Sequence, residues 1–441
     1  MPPPDLHRYR TRRLAPVVVA AVGGLVAVAA CGGGEPADVR ADAPTTAAPT
    51  TAAPTTTTAA PTTTSLPTTL APITEPPTTV PLPPPTTAKP LVNVYGEIRA
   101  GNRNPNTAGA RFLVYVPHEV SGTTMVIDPT TDRIIDTFPT GAESQHVVPS
   151  WDMSTLYAIA SRGDQVTPID PRTGKAGKPL KVEDPYNLYF TPDGAEAIVV
   201  EEGNQRFTFR DAKTFEPHSS VQTQCPGLNH LDYSADLSFF VATCEFEGSL
   251  IKFDMASRTV VDKIWVDMAP SGKRPRSGHS MPQDVRLSAD GSVFFIADLQ
   301  SDGIYVIDAA TFRQIGFIPT GVGAHGLYPS RDGTKLYVVN RGTNLVGGPP
   351  HGQGSVAVVD MATRQVVATW PIPGGGSPDM GNLTEDGTQL WLGGRYDGEV
   401  YVFDTVAGRF DRRIKVGVNP HGLTVWPQPG RFSLGHTGNI R

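Results

Sequence analysis

Short apolar runs recur along the chain with strand periodicity. LYAIA, AIVV, FFVAT, FFIAD, LYVVN and LWLGG are rich in aliphatic and aromatic residues, and they read as β-strands. Each follows a polar turn: PSWDM, TPDG, SADL, SADG, SRDG or TEDG, which places Asp152, Asp193, Asp236, Asp290, Asp332 and Asp386 at turns. A second marker interleaves with the first. Apolar runs end in Asp at 128, 170, 211, 254, 308, 360 and 404, with spacings of 42, 41, 43, 54, 52 and 44. Three residues further on stand Thr131, Thr173, Thr214, Ser257, Thr311, Thr363 and Ala407. Short polar side chains at this spacing accept backbone N–H bonds in a tight turn, so these seven Asp are turn formers rather than catalytic acids.

Each repeat therefore predicts four strands, and four-stranded repeats of ~40–45 residues are the signature of a β-propeller. Seven Asp markers give seven blades. The first blade begins with FLVYVP (Phe112 to Pro117) and lacks an innermost strand. The C-terminal HGLTVWP (His421 to Pro427) is an unpartnered strand that could supply it. Such closure removes free sheet edges. The expected class is all-β: a seven-bladed β-propeller of four-stranded blades over residues 91–441, preceded by a disordered Pro/Thr/Ala-rich stalk.

The segments VPHEVSGTTMVIDPTTDRIIDTFPTG, YVVNRG and GVGAHGLYPSRDGTKLYVVN resemble the YVTN family of seven-bladed propellers. The resemblance covers about residues 110–427. It implies the fold strongly and the function weakly.

The N-terminus has a different character. Arg8, Arg10, Arg12 and Arg13 precede a Gly-broken apolar stretch from Leu14 to Ala30, which ends in Val28-Ala29-Ala30-Cys31. This is similar to a bacterial lipoprotein signal with its lipobox, which implies that residues 1–30 are removed and that Cys31 carries lipid. The Arg12-Arg13 pair is a weak twin-arginine signal. Residues 31–90 form a linker. Its segment 42–90 is almost all Pro, Thr and Ala, with no aromatic residue and three charges, Asp42, Glu75 and Lys89. It cannot bury enough apolar surface to fold. As polyproline II, at ~3.1 Å per residue, it spans up to roughly 150 Å.

Composition narrows the function classes. The 441 residues carry a formal charge of −6, and residues 1–30 hold four Arg and one Asp, so the chain from Cys31 onward stands at −9. That balance argues against nucleic acid as a partner. No GxSxG, HExxH or CxxCH motif occurs. Cys225 and Cys244 are the thiols outside the signal region, and an extracytoplasmic location favours a disulfide between them.

The candidate site lies where the strands alternate in direction, because the loops after each blade's second strand and the connections between blades then share one face, here called the top. The insertions at 267–281 and 342–354 both belong to it. Six or seven residues before each turn Asp, and at the closing strand, stand His146, His230, Asp284, His325, Asp379 and His421. These are expected to ring the top mouth of the central channel. His325, Asp379 and His421 come from adjacent blades and are the candidate ligands of a divalent metal ion, as the unidentified cofactor. The alternative is that the His set serves blade-to-blade hydrogen bonds, or another ligand. Arg162, Arg341 and Arg395 follow second strands and can fork onto carboxylate or phosphate. The tail RFSLGHTGNIR carries no chemistry legible at this level.

The expected function is a cell-surface, membrane-anchored, monomeric binding module that takes a protein or small molecule on its top face, rather than an enzyme. The alternative is a metal-dependent or redox-associated propeller, in the manner of lactone-hydrolysing or nitrous-oxide-reductase-like propellers. Replacing Cys31 with Ser is expected to move the protein from the membrane fraction to the soluble one. An unmodified N-terminus elsewhere, read by mass spectrometry, would refute the lipid anchor.

Overall fold

The computed structural model describes residues 93–267, 280–436 and 438–441. The signal region, Cys31, the linker and most of the 267–281 insertion lie outside these residues. The described chain folds into seven antiparallel sheets arranged as a propeller. In blades 4 to 7 the four strands follow one another from the inside out; blade 4, for example, is Leu228–Tyr233, Phe239–Cys244, Ser249–Asp254 and Thr259–Trp265. The outer strand of blade 2 is split into Lys175–Ala176 and Leu180–Lys181, both paired to Gln165–Asp170.

The turns form as their residue types dictate. Asp332 Oδ1 accepts the Ser330 hydroxyl and the Thr334 N–H, and the other five turns of this kind repeat the pattern. At the second marker, Asp360 Oδ1 accepts the N–H and hydroxyl of Thr363, both within 2.9 Å. Hydrogen bonds to these carboxylates hold both Asp332 and Asp360 below their usual pKa, though for Asp332 burial opposes the shift. The apolar faces of neighbouring blades pack together. Val148, Tyr157, Ile159 and Val166 of blade 2 meet Leu188, Phe190, Ala197 and Val199 of blade 3. Trp391, Val400 and Val402 of blade 7 meet Val114, Val116 and Ile127 of blade 1. Cys225 and Cys244 form a disulfide inside blade 4.

The ring closes through the C-terminal segment. Thr424–Trp426 pairs with the second strand of blade 1, Leu113–His118, in the register Leu113↔Trp426, Val114↔Val425 and Tyr115↔Thr424. The preceding residues turn to the other neighbour: Gly422 N donates to Gln145 O at 2.8 Å, and Val147 N donates to Gly422 O at 3.1 Å. The segment thus clasps blade 1 with one half and the inner strand of blade 2, Ser144–Pro149, with the other.

Both described ends of the propeller chain then cross the bottom of the channel. Tyr95 is fully buried, and its hydroxyl donates to Leu287 O at 2.7 Å. From the other end, Ser433 N donates to Trp151 O and His436 N donates to Leu188 O, which threads the tail into the channel. The Arg441 guanidinium lies 5.3 Å from the Tyr95 ring.

A chain ending before His421 loses the inner strand of blade 1 and the contact to blade 2 together. Its thermal unfolding is expected to lose the single cooperative transition of the parent. A truncated chain that melts like the parent would show that ring closure lies elsewhere.

Candidate functional site

An inner strand has one edge paired to its own blade and one edge facing the channel. In blades 2, 4, 5, 6 and 7 the register of this strand slips at the positions singled out above: Ser144/His146, Leu228/Leu231, Pro282/Val285, Ala324/Leu327 and Pro378/Gly381. A bulge re-aims the side chains around it. This is how His146, His230 and Asp284, six residues before the turn Asp, reach the same channel as His325 and Asp379, seven before it.

Asp284 and other inner-strand side chains serve the backbone. Tyr189 Oη accepts Leu231 N, Asp232 Oδ2 accepts Leu287 N, and Asp284 Oδ2 accepts Leu327 N. Tyr328 Oη accepts Gly381 N, and Asn382 Oδ1 accepts Val425 N. Each bond links one blade to the next, and each satisfies an amide that the edge leaves without a sheet partner.

Asp379 is the hub of the upper channel. Its Oδ1 lies 2.7 Å from Arg341 Nη2 and 3.0 Å from His325 Nδ1; its Oδ2 lies 3.3 Å from both Arg395 Nη1 and His421 Nε2. Arg395 also pairs with Glu119 at 2.7 Å. Burial opposes ionisation of Asp379, but Arg341 and the imidazoles hold its pKa well below the ordinary value. Burial, reinforced by Arg341, lowers His325 to about 4. His421 is also driven well down by burial and Arg395, and its Nδ1–H donates to Gln145 O at 3.1 Å.

The trio His325, Asp379 and His421 therefore comes together, with a consequence the sequence did not show. Two guanidinium groups already face the carboxylate, and the imidazoles approach opposite oxygens. Among the described residues, the group whose ligand atoms all lie within 4.8 Å of one another is a different one: His230, Asp284 and His436. All six predicted ring residues are also deeper than a channel mouth, with none more than 3% exposed.

The lower layer is built from His146, His230, Asn187 and Asp284 with His436 of the tail. The His146 ring centroid lies 4.7 Å from that of His421, 5.0 Å from His436 and 5.7 Å from His230. Room for it depends on Gly422, where an added Cβ would stand 2.1 Å from His146 Nδ1. Burial lowers His146 to about 3 and takes His230 and His436 well below the usual range, so all three rings are neutral at pH 7. Asp284 is raised to about 6 by burial, against the pull of Arg286 at 3.3 Å. His436 was invisible as a site residue because nothing in RFSLGHTGNIR marks a tail that folds back into the channel.

Above these layers, the residue directly after each second strand reads Glu119, Ser161, Glu202, Glu245, Leu299, Arg341 and Arg395 around the ring. Arg162 stands one residue further along. It points outward, its side chain is 67% exposed, and it pairs with Glu143 at 3.0 Å. Arg341 and Arg395 belong to the channel; Arg162 does not. Burial and then Glu245 raise Glu202 well above the ordinary carboxylate range, and burial raises Glu245. Among the described residues neither makes an ion pair, although Glu245 accepts a hydrogen bond from Asn229 at 2.8 Å. The insertion 342–354 closes over the same side, where the Tyr396 hydroxyl donates to Val346 O.

Residues 107–429 match the family model described as YNCE-like beta-propeller. No curated protein matches the chain. Solved structures share the fold at low identity. A functionally unknown protein from Desulfotomaculum acetoxidans is 15% identical with a TM-score of 0.56, the match covering 71% of this chain and 99% of that one. Kuenenia stuttgartiensis hydrazine synthase is 20% identical with a TM-score of 0.51, covering 64% and 89%. Dihydro-heme d1 dehydrogenase NirN is 15% identical with a TM-score of 0.51, covering 74% and 76%.

Replacing Asp379 with Asn leaves Arg341 and Arg395 buried without their shared carboxylate. A loss of about 3–5 kcal/mol at pH 7 is expected, as for other broken buried pairs. Because the folded pKa of Asp379 is depressed, its contribution is present above the unfolded pKa and is lost as pH falls through the folded one. The gap between parent and variant should therefore narrow in melting curves taken at steps below pH 4. A gap that is constant with pH would show that the carboxylate charge is not what holds the hub.

Proposed function

We propose, from the premise that this chain belongs to the YNCE-like beta-propeller family, that it is a lipid-anchored extracytoplasmic binding module. Its ligand carries a positive group and enters the channel from the top face. The observation that carries this reading is the pair Glu202 and Glu245. These carboxylates directly follow the second strands of the adjacent blades 3 and 4, both are raised in pKa by burial and Glu202 by Glu245 as well, and neither makes an ion pair among the described residues. Two like charges held in a poorly solvated site repel, and a cationic ligand relieves that repulsion. The opposite side of the mouth is already neutralised, since Arg341 and Arg395 are met by Asp379 and Glu119. An acidic mouth also disfavours a nucleic-acid backbone. The bottom supports no entrance of comparable chemistry, because Tyr95 and the tail occupy it.

Anchoring rests on the lipobox at Cys31, and cell-surface display rests on the Pro/Thr/Ala stalk.

The test is a melting-temperature screen of the parent against spermidine, a Lys-rich peptide and neutral analogues of each. At least one cationic probe is expected to raise the midpoint by a few degrees, as ligand binding to the native state must. The Glu202→Gln, Glu245→Gln double variant is expected to start higher than the parent and to gain nothing from the probe. Equal gains in parent and variant, or gains from the neutral analogues alone, would overturn the reading.

A further inference from the structure

The repeat supplies its own control for a residue far from the channel. The position before each second-marker Asp holds Ile127, Ile169, Arg210, Phe253, Ile307, Val359 and Phe403 in blades 1 to 7. The six apolar residues are fully buried. Each belongs to an apolar core shared with the preceding blade, as Ile127 does with Trp391 and Val400 of blade 7. The third strand slips against the fourth at this step in blades 1, 4, 5, 6 and 7, as it does in blade 3. The backbone is therefore common to these blades, and the side chain is what differs.

Arg210 thus carries a guanidinium to a core position. On the third strand of blade 3, Arg206–Asp211, Phe207 and Phe209 join the core shared with blade 4. The alternate residues Arg206, Thr208 and Arg210 accordingly face blade 2. Arg210 is only 7% exposed. Its Nη1 donates to Phe215 O at 3.0 Å, the one hydrogen bond its side chain makes among the described residues, and its Nε lacks a partner. Glu183 and Glu201 act on it only at longer range, because both are paired with Arg206. A buried charge without a counter-ion is costly, and six blades avoid that cost at this position with apolar side chains. Packing alone does not account for Arg210.

The same side chain lines a cleft of about 290 Å³, together with Arg206, Thr208, His218, Ser220 and Glu183. His218 and Ser220 come from the outer strand of blade 3, Pro217–Gln222. The outer strand of blade 2 is interrupted between Ala176 and Leu180, so the preceding blade has no continuous fourth strand to cover this wall. Thr208 Oγ1 is committed to Glu201, and His218 Nδ1 lies 2.9 Å from Glu196 Oε1. The donors left without partners are the Nε–Nη2 edge of Arg210 and the Ser220 hydroxyl. One edge of a guanidinium takes a carboxylate through two parallel N–H···O bonds. Glu183 in the wall disfavours a second negative charge, which suits a carboxylate better than a phosphate dianion.

We propose that the cleft between blades 2 and 3 binds the carboxylate of a small molecule on the Nε–Nη2 edge of Arg210, with Ser220 donating a further hydrogen bond. The site stands independently of the cationic-ligand reading at the mouth, because it uses none of the mouth carboxylates.

The experiment uses the full-length chain and reads the melting midpoint with acetate, benzoate and glucuronate against chloride at the same ionic strength. Benzamide is the neutral counterpart of benzoate, and inorganic phosphate is the dianion. At least one carboxylate is expected to raise the parent midpoint by a few degrees beyond chloride. Arg210→Leu restores the residue type of the other blades. Without ligand it is expected to melt at or above the parent, and it should gain nothing from that carboxylate. Arg210→Lys keeps the charge without the fork and should bind about tenfold more weakly, read from the concentration dependence of the midpoint. Ser220→Ala lies on an exposed strand, so it should fold and bind severalfold more weakly. If Arg210→Leu does not fold, unchanged affinity in both other variants overturns the proposal. An equal gain in a folded Arg210→Leu overturns it too. So does no carboxylate gain beyond chloride, a gain from benzamide equal to that from benzoate, or a gain from phosphate alone.

Discussion

The inner edge of every blade faces a channel too narrow for bulk water, so its backbone amides must find partners without a fifth strand. This constraint organises the middle of the molecule. A propeller leaves seven such edges converging on one axis, and a buried amide without a partner costs as much as a lost hydrogen bond. The chain meets the requirement with side chains rather than strands. Tyr189, Asp232, Asp284, Tyr328 and Asn382 each reach the inner strand of the next blade. Only side chains that can accept do this, so the channel is polar for a reason that precedes any ligand.

Charge follows from the same arrangement. Carboxylates placed to accept amides are buried, and buried carboxylates need cations. Asp284 has Arg286, Asp232 has Arg441, and Asp379 has Arg341 and Arg395. Two of these arginines lie in loops of the top face and one in the tail, so loops and chain terminus are drawn into the core by the demands of the inner strands. Within this network the imidazoles stand out because they are neutral. Burial keeps the proton off them, and for His146 and His230 no bond to the backbone accounts for all their nitrogens.

The fold was legible because its determinants are local and repeated. A turn Asp that accepts N–H groups two or three residues on is a short-range device, and seven copies at a near-constant spacing give blade number and strand order. Closure was legible because one strand was missing at one end and spare at the other. The site was only partly legible. Position relative to the turn Asp found six channel residues, since strand register carries that far. It could not give depth, which depends on how tightly seven blades close. Nor could it distinguish Arg162 from Ser161, because a single residue beyond a strand end decides whether a side chain faces the axis or the solvent. In the structure His325 and His421 approach the two oxygens of Asp379. Its arginine partners were visible too, but their approach to the same carboxylate depends on loop conformations that sequence spacing does not encode.

The tail shows where local reasoning ends. RFSLGHTGNIR has no strand period, no motif and no charge pattern, yet it buries Leu434, His436, Asn439 and Arg441. What holds it is long-range: Arg441 needs Asp232, Ser433 N needs Trp151 O, and Phe432 stacks 5.4 Å from Trp151. Each partner is more than 200 residues away in sequence. Blade 3 explains why the space exists. Its inner strand, Asn187–Phe190, is shorter than those of blades 4 to 7, and Phe190 N takes its carbonyl from Leu434 of the tail rather than from a blade. The tail thus supplies an acceptor to an inner-strand amide of blade 3. In doing so it carries a fifth histidine ring into the channel, against His146, His230 and Asn187, and a cluster that the blades alone leave open becomes enclosed.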